Sequence, residues 1–347
     1  MRINRIFNLA ILAVLLISFL GYLRIYKSWG QQITLITDMN NDSFSGSQSW
    51  DFIENIETEF PNLTVTAVPL EAIKAQYYLY NDSVVKGMEM IDNVIRKRSN
   101  PYIMLPEALK AKYYNTIGQL DSAKFYSKKA FNGLPKNPFH FVELNRSFVQ
   151  NNQIDSIVPY FKKVRYPFQQ DIYRLFLSTV LPHLEKFDEE TNKFIKDVAI
   201  EGIKKSANSA DQYNNLLRLT SFMILYGKDS VEQMLEIEQE ASSLLNDKKY
   251  LESLDLYFKL NELIPTNYIF KENIALASFN LKDFDTSAKM YYEVEDLNHN
   301  LTESQQFIMG ISLWNTNSKS LGCERIMIAS ELGVEEANNA LKILCGL

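Results

Sequence analysis

Residues 106–138 read PEALKAKYYNTIGQLDSAKFYSKKAFNGLPKNP, a stretch with the pattern of two antiparallel helices. A first helix is expected to end at Gly118, and Asp121 is placed to cap a second helix. Pro135 and Pro138 then stop the second helix, because proline has no N–H and clashes with the preceding turn. The side chains expected at the contact between the two helices are small or aromatic: Ala111, Tyr114, Ala123, Tyr126 and Ala130.

A single pair of helices cannot bury both of its faces, so similar units are expected on either side. Equivalent positions do recur 34 residues apart further along the chain: Ala241 and Ala275, Tyr257 and Tyr291, Leu260 and Val294. The pattern also recurs before residue 106, at Ala75, Tyr78, Gly87, Ile91 and Val94. Asn145, Ile157 and Val164 lie one period after Ala111, Ala123 and Ala130. Between Asn145 and Ala241 the spacing departs from the period, which predicts shortened or irregular helical units there.

These repeats resemble the tetratricopeptide repeat (TPR) family, whose 34-residue units are pairs of antiparallel helices. The resemblance spans roughly residues 68–329 and is strongest in 104–137 and 234–299. The family's first-helix tryptophan is missing, and the chain has Glu107, Phe141 and Ile237 in its place. We therefore predict an all-α, TPR-like α-solenoid of antiparallel helix pairs, preceded by one N-terminal transmembrane helix.

The transmembrane prediction rests on residues 6–23, an apolar run of 18 residues that nearly spans a hydrocarbon core of about 30 Å. The alternative is a secretory signal peptide, which has a shorter apolar region followed by small residues. Large residues continue after this run, which favours an uncleaved anchor with an aromatic belt of Tyr22, Tyr26 and Trp29. Arg24 and Lys27 balance Arg2 and Arg5 across the run. The N-terminal amine adds one more positive charge to the short tail, so we expect a cytoplasmic N-terminus and a periplasmic or other extracytoplasmic body.

We divide the chain into five parts on these patterns: a cytoplasmic tail and anchor (1–27), a stalk with a small N-terminal cap (28–67), N-terminal TPR-like repeats (68–171), irregular helical repeats (172–233), and C-terminal TPR-like repeats with a capping helix (234–347). Within the second part, residues 33–37 (ITLIT) and 62–69 (NLTVTAVP) have the pattern of strands. Residues 50–60 have helical spacing, and the intervening polar stretch is typical of a loop.

Two cysteines, Cys323 and Cys345, lie near the C-terminus without CxxC spacing or a neighbouring histidine. We interpret them as small buried core residues. A disulfide is the alternative if this end of the chain lies outside the cytoplasm.

Residue types that carry catalysis are sparse. His140, His183 and His299 share no i, i+4 spacing with each other or with a cysteine. The sequence contains no HExxH motif, no G-x-S-x-G elbow, no phosphate-binding loop and no dinucleotide-binding glycine pattern. We predict no catalytic residue, no metal site and no cofactor. The net charge of −6 also argues against a nucleic-acid partner, since phosphate binding needs a concentrated basic face.

What remains is the groove that the resemblance implies, lined by the first helices of successive units and binding peptides or partner helices. Its polar positions would be Gln76, Tyr80, Lys112, Asn115, Arg146 and Gln150. Because Lys112 and Arg146 occupy equivalent places, we expect a basic pair that receives an acidic or C-terminal segment of a partner.

The expected function is that of a non-catalytic, membrane-tethered scaffold which binds a protein or peptide at the extracytoplasmic face. Two alternatives stay open. One is an accessory component of an envelope polysaccharide or secretion machine, and the other is an enzyme built on a helical-repeat scaffold.

Overall fold

The computed structural model describes residues 2–81, 83–206 and 212–346 of the chain. These residues form 18 α-helices joined by short loops and 3₁₀ turns. No strand occurs among them, and the sole β-type contact in the described ranges is an isolated bridge between Leu63 and Pro69. The chain divides into two compact units, residues 1–164 and 165–347.

The first unit begins with one long helix and continues with shorter helices that pack in antiparallel pairs. Its helices are α1 (Arg2–Asn40), α2 (Trp50–Glu54), α3 (Leu70–Tyr80), α4 (Val84–Lys97), α5 (Leu105–Thr116), α6 (Leu120–Gly133), α7 (Pro138–Gln150) and α8 (Ile157–Val164). Helix α3 packs on α4, α5 packs on α6, and α6 packs on α7.

The second unit has the same kind of architecture. Its helices are α9 (Gln170–Val180), α10 (Glu189–Ser206), α11 (Gln212–Tyr226), α12 (Lys228–Asn246), α13 (Tyr250–Leu263), α14 (Tyr268–Asn280), α15 (Phe284–Asp296), α16 (Glu303–Asn315), α17 (Lys319–Glu331) and α18 (Glu335–Ala340). The closest packing joins α10 with α11, α12 with α13, α14 with α15, and α16 with α17. The all-α architecture of helix pairs is therefore confirmed.

The pair α5–α6 shows why the repeat pattern specifies this packing. Ala111, Ala123 and Ala130 are fully buried where the two helices approach. Tyr114 and Tyr126 stack across the same contact with 5.6 Å between ring centroids. Gly118 forms the turn with a φ of +71°, a conformation that glycine adopts without steric cost.

The helix capping differs from the sequence prediction. Asp121 lies inside the first turn of α6, and the residue at the cap position is Gln119, whose side chain makes no capping hydrogen bond. A carboxylate in the first turn still interacts favourably with the positive end of the helix dipole.

Helix α1 corrects the strand expected at residues 33–37. It runs unbroken through these residues. Its second half packs on the first unit through four buried side chains at helical spacing, Ser28, Gln32, Leu35 and Asp38. Three of these four residues are polar, so hydrophobic periodicity could not reveal this buried face.

The part of α1 from Ala10 to Asn40 is long and apolar enough to cross a membrane, by length and composition. The apolar side chains in its first half are exposed on every side of the helix. The N-terminal half of α1 therefore makes no core with the rest of the described chain.

The C-terminal end is closed by a disulfide between Cys323 and Cys345, which corrects the interpretation of these cysteines as unbonded core residues. Cys323 lies on α17 and Cys345 lies in the turn that follows α18. The indole Nε1 of Trp314 also donates to the carbonyl of Leu344 at 3.2 Å.

Candidate binding cavity in the first unit

A cavity of about 440 Å³ lies where α3, α5 and α7 meet the C-terminal end of α1. All of these helices belong to the first unit. The cavity combines an apolar part with several polar and charged side chains. The apolar lining residues are Met39, Val68, Ile103, Leu105, Phe139 and Val142.

Lys112 on α5 provides one of the two cations of the cavity. Its Nζ lies 3.0 Å from both carboxylate oxygens of Asp42 and also contacts the hydroxyl of Tyr80. Tyr80 in turn donates to Asp42 at 2.8 Å. Burial acts to lower the pKa of Lys112, but its hydrogen bonds to Tyr80 and Asp42 outweigh burial and the pKa is raised. Lys112 is therefore charged and already paired.

Arg146 on α7 provides the second cation, and it is paired in the same way. Its Nη1 lies 3.2 Å from Oε1 of Glu143, one turn earlier on the same helix. The Glu143 side chain is only 1% exposed and also accepts a hydrogen bond of 2.9 Å from Asn115. Burial raises the pKa of Glu143, and the contacts with Asn115 and Arg146 oppose that rise.

Both cations that we expected to receive a partner's carboxylate are already paired within the chain. Each cation has a carboxylate partner, so the four charged side chains of the cavity balance. The carboxylate that we expected from a partner protein is supplied to Lys112 by Asp42, from the chain's own segment after α1. No sequence signal could indicate this contact, because the two residues are 70 positions apart.

Two buried polar atoms of the cavity lack a hydrogen-bond partner among the residues that the structure describes. They are Nε2 of Gln76, on a side chain that is 4% exposed, and Nδ1 of His140, which is 1% exposed. Burial lowers the pKa of His140 to about 4, so this ring is neutral at pH 7. A buried donor without a partner is costly, and a bound group that satisfies it regains that free energy.

The six residues predicted for the groove are brought together only in part. Gln76, Lys112 and Arg146 line the cavity. Tyr80 lines a smaller neighbouring cavity of about 190 Å³ with Gln76 and Lys112. Asn115 and Gln150 instead join α5 to α7, since Asn115 donates to Glu143 and Gln150 donates to the carbonyl of Asn115 at 3.1 Å.

Sequence reasoning missed five polar or aromatic lining residues: Asp42, Asn137, Phe139, His140 and Glu143. Glu143 could have been found from its i, i+3 spacing to Arg146, which places the two side chains on one helix face. His140 was considered only for the spacing of metal ligands, and its depth of burial depends on packing that the sequence does not display.

The structure gives no support for a metal centre in the ranges that it describes. Within 2–81, 83–206 and 212–346, no group of three or more histidine, cysteine, aspartate or glutamate side chains is arranged to hold an ion.

No family model and no curated protein matches the chain. Solved structures do resemble it at low identity. A tetratricopeptide repeat protein from Parabacteroides merdae is 13% identical, with 79% of this chain and 97% of that chain covered and a TM-score of 0.34. A human IFIT1 dimer with m7Gppp-AAAA is 12% identical, with 85% of this chain and 68% of that chain covered and a TM-score of 0.31. The capped RNA is a ligand of IFIT1 in that structure.

Proposed function

We propose that this chain is a membrane-tethered, non-catalytic scaffold of helix pairs, and that the cavity of its first unit binds a segment of a protein partner at the extracytoplasmic face. The observation that carries the proposal is the cavity itself, between the first helices of successive pairs. It has an apolar wall and an unpartnered buried donor, Gln76 Nε2. Specific ligand sites combine these two features.

The partner segment is expected to supply an apolar side chain, a carbonyl for Gln76 and a carboxylate for Arg146. Both described bonds from Arg146 to Glu143 use Nη1, and 43% of the arginine side chain is exposed. The remaining guanidinium N–H groups of Arg146 can therefore donate to a second carboxylate, since the planar guanidinium group matches the geometry of a carboxylate. An acidic or C-terminal segment of a protein fits this chemistry.

Helix α1 supports the tether. Its first half exposes apolar side chains all round, an arrangement that is favourable in a bilayer and unfavourable in water. Its second half carries the buried face of Ser28 to Asp38, so the apolar segment leads directly into the folded unit. This continuity favours an uncleaved anchor over a signal peptide.

The disulfide supports the extracytoplasmic location of the body. Disulfides persist in oxidising compartments and are rare in the cytosol. Cys323 and Cys345 are joined, and no free cysteine occurs in the chain. The second unit is therefore suited to the periplasm or another oxidising space.

The topology can be tested with the full chain. Fusing a reporter that is active only outside the cytoplasm to Leu347 should give signal, and the fusion should stay membrane-bound at full length. Reporter activity measures the side of the membrane on which Leu347 lies. Immunoblots of membrane and soluble fractions measure the attachment and the length of the fusion. A shortened soluble product would contradict the anchor, and a silent full-length fusion would contradict the orientation.

The cavity can be tested by photocrosslinking in membranes. A photoreactive amino acid at Val142, which lines the cavity, should give a partner adduct. The same group at Phe125, an exposed residue of α6 outside the cavity lining, should not. The double substitution Glu143→Gln and Arg146→Gln removes the charges without leaving a buried carboxylate unpaired. We expect it to reduce adduct yield about tenfold, the value of a lost charge-assisted bond.

An exposed ion pair elsewhere in the first unit provides a control for the loss of two charges. Glu54 and Lys86 lie 2.9 Å apart in the first unit and do not line the cavity. Substituting both with glutamine should leave the adduct at Val142 unchanged. If the adduct also survives the cavity double substitution in a protein that melts normally, the proposed partner chemistry is wrong.

A further inference from the structure

Helix α1 determines which edge of the first unit faces the membrane. Three contacts of α1 show its direction relative to the unit. Gln32 is the nearest of the three to the apolar run, and it accepts a hydrogen bond from the backbone N–H of Val65 at 3.2 Å. Asp38 comes next and accepts from Tyr77 at 2.7 Å. Asp42, just after the helix, pairs with Lys112. The loop containing Val65 is therefore on the side nearer the apolar run.

The other loops on this side follow from contacts within the unit. Asn100, between α4 and α5, donates to the carbonyl of Ala67 at 2.8 Å. Gly133, at the end of α6, lies directly against Met104 of the same α4–α5 connection. We call the loops at 55–69, 98–104 and 133–138 the proximal edge. The turn at Gly118 joins the opposite ends of α5 and α6, about 18 Å away along a 12-residue helix.

The proximal edge lies just outside the layer of lipid headgroups. Gln32 is nine residues after Leu23, the end of the apolar run, which is about 13 Å along the helix. The headgroup layer on each side of the hydrocarbon core is about 5–8 Å thick. The loop that contacts Gln32 is therefore about 6–8 Å beyond this layer.

Three exposed aromatic or apolar side chains lie on this edge. Tyr102 is 82% exposed, Val65 is 65% exposed and Phe60 is 50% exposed. Trp29, on the part of α1 that follows the apolar run, is also exposed. In water such exposure is unfavourable, whereas aromatic side chains are stabilised at the membrane interface.

A run of basic side chains leads into the same edge at the end of α4. Arg96, Lys97 and Arg98 end α4 on the proximal edge and are all exposed. Lys97 pairs with Glu71 at 3.3 Å, whereas in the described ranges no carboxylate oxygen is within 4.0 Å of Arg96 or Arg98. A cavity of about 330 Å³ opens here, with Arg98 and Asn100 in its wall and with Lys129, which pairs with Glu107 at 3.3 Å. Arg96 and Arg98 are therefore exposed cations without an ion-pair partner among the described residues, on a chain whose net charge is −6.

We infer that the proximal edge of the first unit rests on the bilayer and that Arg96 and Arg98 bind the phosphate groups of anionic phospholipids. Guanidinium groups form paired hydrogen bonds with phosphate oxygens, and the cavity beside Arg98 gives a headgroup room to enter. The aromatic side chains then occupy the interface. This inference rests on the proposed tether, because α1 sets the height and direction of the edge.

The test uses the full chain reconstituted in vesicles of phosphatidylcholine alone, or of phosphatidylcholine with phosphatidylglycerol. A fluorophore is attached at Tyr102→Cys on the proximal edge, or at Ile117→Cys, an exposed position at the opposite end of α5. A lipid with a nitroxide on its headgroup serves as the quencher. We expect the label at 102 to be quenched at least about twofold more than the label at 117, and more strongly in the anionic vesicles.

The variant Arg96→Gln/Arg98→Gln isolates the headgroup contact. A basic side chain near an anionic surface strengthens attachment about fivefold, so loss of two should weaken the contact about 25-fold. The extra quenching in anionic vesicles should then disappear while the protein stays in the vesicles. Equal quenching at 102 and 117, or a lipid preference that survives the double substitution, overturns the inference. A protein that does not float with either vesicle overturns the tether and this inference together.

Discussion

Replacing Gly322 with alanine is expected to destabilise the second unit by about 3 kcal/mol, at the upper end of what overpacking costs. Gly322 lies on α17 where this helix crosses α16. A methyl group added there would lie 2.6 Å from the backbone nitrogen of Trp314 and 2.8 Å from the carbonyl of Gly310. Because both neighbours are backbone atoms, no side-chain rotation relieves the clash and the helices must separate.

The sign of this effect is informative because helix propensity opposes it. Alanine is about 1 kcal/mol more favourable than glycine inside a helix, so a neutral site would be stabilised. Gly202 on α10 is the matched control. There an added methyl group would meet only side-chain atoms of Leu217 and Ser221, none closer than 3.4 Å.

Thermal melts followed by circular dichroism measure both variants. For a unit of this size the loss at Gly322 corresponds to a fall in Tm of about 6–12 °C. Gly202→Ala should melt at or slightly above the parent temperature. If the two alanine variants melt alike, the close crossing of α16 and α17 is wrong.

Loss of the disulfide is expected to weaken the C-terminal end by about 3 kcal/mol. Cys323 and Cys345 are 22 residues apart, and closing a loop of this length restricts the unfolded chain by about that amount. The C-terminal segment that the disulfide holds against α17 is small. Its buried core consists of Ile326, Ala329 and Ala337, with partly buried neighbours around them.

The change Cys323→Ser/Cys345→Ser should therefore release the segment after Gly333 before the rest of the unit unfolds. Hydrogen exchange of residues 334–345 should accelerate more than a hundredfold, the ratio that corresponds to about 3 kcal/mol. Exchange in α12–α15 should change little. Reduction of the parent protein should reproduce the effect. Free thiols in protein taken from native membranes without reductant would contradict both the disulfide and the oxidising location.

The sequence predicted the helix pairs well because their packing is local and periodic. Ala111, Ala123 and Ala130 are small because two helices approach closely there, and Gly118 allows the sharp turn between them. The same regularity identified the later pairs through Tyr257 and Tyr291, which are both buried. Repeat positions carry this information since each unit packs mainly on its neighbours.

The spacing of apolar residues could not predict the buried face of α1. Residues 33–37 form a short strand-like run, yet they belong to a helix whose contacts are made by Ser28, Gln32, Leu35 and Asp38. Apolar periodicity cannot detect a face of this kind, because its contacts are hydrogen bonds such as that from Tyr77 to Asp38.

The amino-acid sequence alone determined that this protein is a chain of antiparallel helix pairs with a long apolar N-terminal segment, because both properties follow from residue spacing within a short window. Only the tertiary structure decided which charges meet. It brought Asp42 to Lys112 and joined Cys323 to Cys345, and it left Gln76 Nε2 buried without a partner among the residues that it describes. These contacts join residues that are distant in the chain and depend on how whole helices pack, so no local pattern of spacing could specify them.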